Sequence, residues 1–223
     1  MNRRLLTCGE HGVLVELDAL EEVLALHTAV RAAVEAGDPA FVDVIDVVPA
    51  ARTLLLVVHE GADVAPVRTA LVTLPADRVA GAPAGVSGPG EQHAVEIFVH
   101  YDGPDLDEIA ELTGLAPGEV VVAHTQTPWR MAFAGFAPGF AYLSGGDRRL
   151  KVPRRSEPRP SVPAGSVGLA GEFSAVYPRS SPGGWQLLGH TEAILWDVAR
   201  QPPALLQPGS VVRFIDADQV ASR

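Results

Sequence analysis

A single cysteine, Cys8, leaves this chain of 223 residues without a partner for an internal disulfide, so its fold must rest on a packed core. Nor does any apolar run reach the roughly 18 residues that a membrane-spanning helix needs. Basic charge is scarce, 17 Lys and Arg against 27 Asp and Glu for a net charge of −10, and it gathers on no helical stripe. That balance argues against a nucleic-acid backbone or an anionic membrane surface as partner. Met1 to Leu6 carries two arginines but turns polar from Thr7 to Gly12, so no signal peptide is expected and a cytoplasmic location is. Self-sufficient catalytic motifs are missing: no phosphate-binding G-x-x-x-x-G-K-[ST] loop, no G-x-S-x-G elbow, no H-E-x-x-H helix and no cysteine pair for zinc. The seven histidines fall at no metal-ligand spacing, so no metal is expected, and Cys8 reads as a small buried hydrophobe.

With 47% hydrophobic and 20% charged residues, the composition is that of a globular protein with a sizeable core. The stretch from Pro75 to Gln92 is Gly-, Pro- and Ala-rich with no periodicity, which predicts a domain at 1–75, a linker at 76–93 and a second domain at 94–223. In the first part, Val13 to Leu17 and Thr53 to Val58 read as strands, with a third within Phe41 to Val48. Leu20, Val23, Leu24, His27, Val30, Ala33 and Val34 form one helical stripe ended by Gly37-Asp38-Pro39, and a second helix is expected from about Val64 to Leu74. The order strand, helix, strand, strand, helix suits a small α+β layer with helices on one sheet face. In the second part Ala94 to Tyr101 alternates as a strand. Asp105 and Glu108 read as a capping box for a helix from Leu106 to Thr113, and Pro117 starts another through about His124. From Trp129 onward short apolar segments alternate with Gly and Pro turns every ten residues or so, the rhythm of a β-barrel.

The chemistry-bearing residues gather in this second part. Gly135 to Gly145 (GFAPGFAYLSG) sets turn formers against aromatic rings, and Ser181 to Trp185 (SPGGW) does so again. Glycines at 139, 165, 183, 184 and 189 can expose backbone N–H groups as anion-binding nests, and Arg154, Arg155 and Arg159 lie between such turns with guanidinium forks suited to phosphate or carboxylate. The pattern admits two readings: an anion-handling surface, or glycines that turn barrel corners beside solvated arginines. Phe136 and Phe140 are expected to pack in the core, whereas Tyr142 and Trp185, with polar tips, suit a groove wall. His124, near a helix end, is either a proton carrier near neutral pH or a cap for the last carbonyls.

These segments, YDGPDL, AHTQ, GFAPGFAYLSG, VPRRSEPRPSVPAGSVGLAG, YPRSSPGGWQLLGHT and LLQPGSVVRF in that order, resemble the KipI/PxpB family, also labelled allophanate hydrolase subunit 1. The match is dense from about Val95 to Ile215 and looser before it. The resemblance implies a small N-terminal α+β domain joined to a cyclophilin-like β-barrel. It also implies a hetero-oligomer with a KipA/PxpC-like subunit and a PxpA-like subunit, which with ATP opens the lactam of 5-oxoproline to L-glutamate. Carried onto this chain, it implies catalytic roles for His124, Tyr142, Arg154 and Arg159. Contacts to substrate or phosphate are implied for Phe136, Pro138, Gly139, Phe140, Gly165, Ser166, Tyr177, Ser181, Pro182, Gly183, Gly184, Trp185, Gly189 and Thr191. The expected ATP site is on a partner subunit or shared with one. Three departures stand out: Tyr101-Asp102 runs directly into Gly103-Pro104, Trp129 replaces a usual tyrosine, and Cys8-Gly9-Glu10 replaces a usual Gly-Asp.

The same resemblance offers alternatives: a KipI-type inhibitor of a histidine kinase, or half of a urea-carboxylase-like carboxyltransferase. Allophanate hydrolysis fits less well, since no amidase Ser-Ser-Lys pattern is present, and a cyclophilin-like fold does not by itself bring prolyl isomerisation.

Overall fold

The computed structural model describes residues 3–75 and 94–221, and the chain divides into two compact units, Met1–Val86 and Ser87–Arg223. The linker expected at 76–93 lies outside the described residues. In the first unit, strands β1 (Arg4–Cys8) and β2 (Gly12–Glu16) precede helix α1 (Leu20–Glu35). Strands β3 (Val44–Pro49) and β4 (Thr53–Val58) and helix α2 (Ala65–Thr73) follow. The strands form one antiparallel sheet in the order β1-β2-β4-β3. Alternate residues Val13, Val15, Leu54, Leu56 and Val58 face one side, where Val23, Leu26 and Val30 of α1 and Val67 and Leu71 of α2 cover them. Strand β1 is missing from the expected order. Arg3, just before it, and Arg4, its first residue, have structural work: Arg3 donates to the carbonyls of Leu71 and Leu74 at the end of α2, at 2.6 and 2.7 Å, and Arg4 pairs with Glu16 across the sheet at 3.2 Å. Cys8 is exposed rather than buried, because it ends an edge strand.

The second unit opens with β5 (Val95–Val99), helices α3 (Leu106–Thr113) and α4 (Pro117–Gln126), and strands β6 (Trp129–Ala134) and β7 (Ala141–Ser144). It continues through β8 (Arg159–Val162), β9 (Ser166–Ala170), β10 (Phe173–Val176), β11 (Ser181–Gly183), β12 (Gln186–His190) and β13 (Val211–Asp216) to the short helix α5 (Ala217–Ala221). Seven strands run in the order β12-β9-β10-β7-β6-β13-β5, and β8 with β11 forms a separate two-stranded ribbon. His100 and His190, next to β5 and at the end of β12, bring the two outer strands together. Each N–H donates to the other's carbonyl at 2.9 Å, so the sheet is a nearly closed barrel. The closure needs Gly189, since a Cβ there would overlap the His100 carbonyl oxygen. The two imidazoles stack at 5.1 Å, with His100 Nδ1 2.8 Å from Asp218 and His190 Nδ1 2.8 Å from Asp102.

The interior holds Ile97, Val99, Leu143, Val167, Leu169, Leu188, Val212 and Phe214, joined by Ile109 of α3 and Val120 and Ala123 of α4. Each of these Val, Leu, Ile and Phe side chains contributes about 1.5–3 kcal/mol by leaving water. The expected pairing of a small α+β unit with a β-barrel is therefore what the chain builds. The Trp129 departure also has a physical account. Its ring is buried, its Nε1 donates to the His124 carbonyl at 3.1 Å, and it fits because Gly146 has no Cβ to strike it.

Candidate functional site

Strand alternation gives the barrel sheet a second apolar face. Leu143, Leu169, Val176 and Leu188 point inward, while their neighbours Tyr142, Ala170, Ala175, Tyr177 and Leu187 join Phe140, Trp185 and Val162 in a separate cluster on the outside. Phe140 is its hub. Its ring meets Tyr142, Tyr177 and Trp185 edge-on at 5.1, 5.4 and 5.6 Å, and Tyr142 lies 5.7 Å from Trp185 and stacks on Phe133 at 4.4 Å. The β8–β11 ribbon contributes Val162 to this cluster, and Trp185 follows β11 in the chain.

The turn from β6 to β7 places Phe136 at the rim. Phe140 N–H donates to the Ala137 carbonyl at 3.0 Å, and Phe136 has a φ of 67°, the only positive value at a non-glycine among the described residues. A left-handed aromatic costs about 1–3 kcal/mol and persists where its surroundings impose it. Core packing was expected for both phenylalanines, but only Phe140 is buried; Phe136 is 59% exposed, its ring edge-on to Phe140 at 5.2 Å and to Tyr177 at 6.3 Å. One turn cannot send both rings inward. Gly139, with φ 80°, packs where a Cβ would come 2.8 Å from Trp196 Cβ.

The arginines separate into two kinds. Asp105, only 2% exposed, accepts on Oδ1 from Arg155 at 3.0 Å and Arg159 at 2.6 Å, and on Oδ2 from the Leu187 N–H at 2.7 Å. Glu108 accepts from Arg155 at 3.3 Å and from the Gln186 amide at 3.1 Å. The expected capping box on α3 is thus not formed, because both carboxylates are drawn to guanidinium groups distant in sequence, and Asp105 makes no side-chain cap. Arg159, expected to meet an external anion, is committed internally. Arg154 is exposed and has no carboxylate partner among the described residues; its guanidinium lies 6.0 Å from the Trp185 ring centroid.

Several other expected positions have structural contacts of their own. Neither Gly183 nor Gly184 has the positive φ that a nest requires. Gly183 pairs with Arg159 in the ribbon, and a Cβ on it would overlap the Tyr177 hydroxyl. Gly165, Ser166 and Thr191 instead tie strand ends together: Gly165 N–H donates to Tyr177 O at 2.7 Å, Thr191 N–H to Gly165 O at 2.9 Å, and Ser166 is buried. Ser181 donates to Arg179 O at 3.3 Å, and Pro182 is exposed beside it.

His124 does not cap its helix, because both ring nitrogens face side chains inside the barrel. It is fully buried, stacked on Phe214 at 4.3 Å, with Nδ1 2.8 Å from the Tyr101 hydroxyl and Nε2 2.9 Å from the Ser174 hydroxyl. Desolvation pushes its pKa down to about 3, which keeps the ring neutral, and burial followed by nearby Asp216 raises the Tyr101 phenol. Burial also raises the Tyr177 phenol, against the opposing pull of Arg154, the Trp185 backbone and Arg159.

The structure therefore brings Phe136, Phe140, Tyr142, Tyr177, Trp185 and Arg154 together on one outer face, and leaves His124, Gly165, Ser166, Gly189 and Thr191 as parts of the frame. The sequence assigns Asp105 and Glu108 only a helix cap and Gln186 no role, although Asp105 lies in YDGPDL and Gln186 in YPRSSPGGWQLLGHT. Among the described residues no group of three or more His, Cys, Asp or Glu side chains is placed to hold a metal ion. No helix among them is long and apolar enough to cross a membrane.

Residues 3–206 match the family model of the carboxyltransferase domain, subdomain C and D. The chain is 49% identical over 124 residues to the B-type subunit of 5-oxoprolinase from Bacillus subtilis, covering 54% of this chain and 52% of that protein. It is 48% identical over 128 residues to the protein of that name in Escherichia coli, covering 56% and 59%. The chain thus spans little more than half the length of the curated relatives it matches. Among solved structures, TTHA0988 superposes with a TM-score of 0.71 at 34% identity, over 92% of this chain and 40% of that one. A conserved uncharacterized protein from Pyrococcus horikoshii gives 0.55 at 31% identity, over 97% and 99%. The urea carboxylase of Kluyveromyces lactis shares the fold, with a TM-score of 0.70 at 14% identity over 98% of this chain and 22% of that one. The chain belongs to the carboxyltransferase domain family, subdomain C and D.

Proposed function

We propose that this chain is one subunit of an ATP-dependent 5-oxoprolinase, which opens the lactam of 5-oxoproline to L-glutamate together with a KipA/PxpC-like and a PxpA-like subunit. The observation that carries this reading is the 43–49% identity to three proteins named as the B-type subunit of 5-oxoprolinase. The outer aromatic face supports it. Arg154, a guanidinium with no carboxylate partner among the described residues, suits the carboxylate of a small ring, and the exposed ring of Phe136, seated on the buried Phe140 and Tyr177 rings, supplies an apolar surface on the same face. ATP supplies the activation of an otherwise unreactive amide. With no nest at Gly183-Gly184, and with Arg155 and Arg159 paired internally, this face offers a poor cradle for a triphosphate, so this reading assigns the nucleotide to a partner subunit. The test is reconstitution: the three subunits with ATP should form glutamate from 5-oxoproline, and omission of this chain or of ATP should abolish it. Absence of glutamate from the full set would sink the reading.

A second reading, carboxyl transfer within a urea-carboxylase-like assembly, is favoured by the family model itself. It predicts carboxybiotin-dependent carboxylation of an acceptor amide by the same set without 5-oxoprolinase activity.

A further inference from the structure

We propose that Asp105 is the positioning residue of this outer face: it occupies Arg155 and Arg159 and pins the 154–159 segment against Trp185, so that Arg154 alone meets a singly charged anion. The inference rests on the reading of this face as a ligand site. Three observations carry it. First, one buried carboxylate joins three stretches of chain, since Asp105 starts α3, its two arginine partners flank the entry to β8, and Leu187 lies in β12. Second, the joined stretches bracket the Arg154–Trp185 pair. Arg155 N–H donates to the Gly184 carbonyl at 2.8 Å, and Arg159 pairs with Gly183 in the ribbon, so the residues on either side of the stacked pair are fixed while Arg154 itself stays exposed.

Third, the charges pair off. The two carboxylates of Asp105 and Glu108 face the two guanidinium groups of Arg155 and Arg159, while Arg154 has no ion-pair partner among the described residues. The Arg155 fork is turned so that Nη1 reaches both carboxylates while its buried Nε has no hydrogen-bond partner. Leaving a buried donor unmade costs about 1–3 kcal/mol. The arrangement favours placement of the segment over complete satisfaction of that side chain. Loss of the Asp105 charge would release two cations beside Arg154 and turn a site for one negative charge into a site for several.

Arginine accessibility reads this directly, without catalysis. In the whole chain treated with phenylglyoxal and mapped by mass spectrometry, Arg154 should react about tenfold faster than Arg155 and Arg159, whose guanidinium groups are held in ion pairs. In Asp105→Asn the three rates should converge, and inorganic pyrophosphate should protect the cluster at a concentration about tenfold lower than in the wild type. In the active complex the same variant should raise KM for 5-oxoproline about tenfold with kcat little changed. Equal reactivity of the three arginines in the wild type would overturn the proposal, as would unchanged protection in a folded Asp105→Asn. Should Asp105→Asn fail to fold, Glu108→Gln provides the second test: Arg155 alone should gain reactivity, and no change there counts against the proposal. A wild-type complex without 5-oxoprolinase activity would remove the proposed function, while the mapping would still decide the role of Asp105.

Discussion

Nε2 of His124 lies 2.9 Å from the Ser174 hydroxyl inside the barrel, and with Nδ1 on Tyr101 the ring has a partner at each nitrogen. A neutral imidazole can satisfy both at once, one as donor and one as acceptor. The folded pKa of about 3 lies below the ordinary 6.5, so between these values the unfolded chain binds a proton that the folded chain does not. Stability is therefore full above about pH 6.5 and falls as pH drops toward 3, by about 1.4 kcal/mol per pH unit for this one group. His124→Gln should cost about 1–3 kcal/mol at pH 7 and remove that part of the acid sensitivity. Denaturant midpoints at pH 7 and pH 5 measure both; parallel losses in the two proteins would contradict the assignment.

Barrel closure makes a sharper demand on Gly189 than on Gly118. A Cβ at Gly189 would overlap the His100 carbonyl oxygen, whereas one at Gly118 in α4 meets nothing within 4 Å. Gly189→Ala should destabilise by about 1–3 kcal/mol or more. Gly118→Ala should stabilise by up to about 1 kcal/mol. Thermal melts of the two variants should shift in opposite directions.

Phe136 separates fold from function. Phe136→Gly relieves the left-handed backbone and should leave stability within about 1 kcal/mol of the wild type, while Phe136→Ala keeps the strain and should be the less stable of the two. In the proposed enzyme both should raise KM, since both remove the exposed ring. A large loss of stability in Phe136→Gly, with unchanged KM, would make the ring structural.

The sequence shows most plainly those parts of the molecule whose cause is local. Helix α1 follows from an unbroken 3.6-residue stripe and Gly37 at its end, and β4 from an apolar run bounded by turns. Strand β1 escaped because it is an edge strand with no buried residue, so its two faces do not differ enough to produce alternation. At Asp105 a local signal misled: Asp and Glu three residues apart look like a cap, and nothing near them announces arginines some fifty positions later. The two phenylalanines of the 135–140 turn are equivalent by type, and backbone geometry alone decides which is buried. The sequence places Gly135 to Gly145, Arg154, Arg155, Arg159 and Ser181 to Trp185 in one unit, but the division of labour among these arginines is a tertiary property.

The central claim is that Arg154 holds the substrate anion. The most direct measurement is kcat/KM for 5-oxoproline in the ATP-supplied three-subunit complex, with wild-type chain and with Arg154→Ala. The account predicts ATP-dependent glutamate formation by the wild type, and a fall of at least about 100-fold in the variant, with melting displaced by no more than about 0.5 kcal/mol. Undiminished kcat/KM in Arg154→Ala, or no glutamate from the wild-type complex, would contradict it.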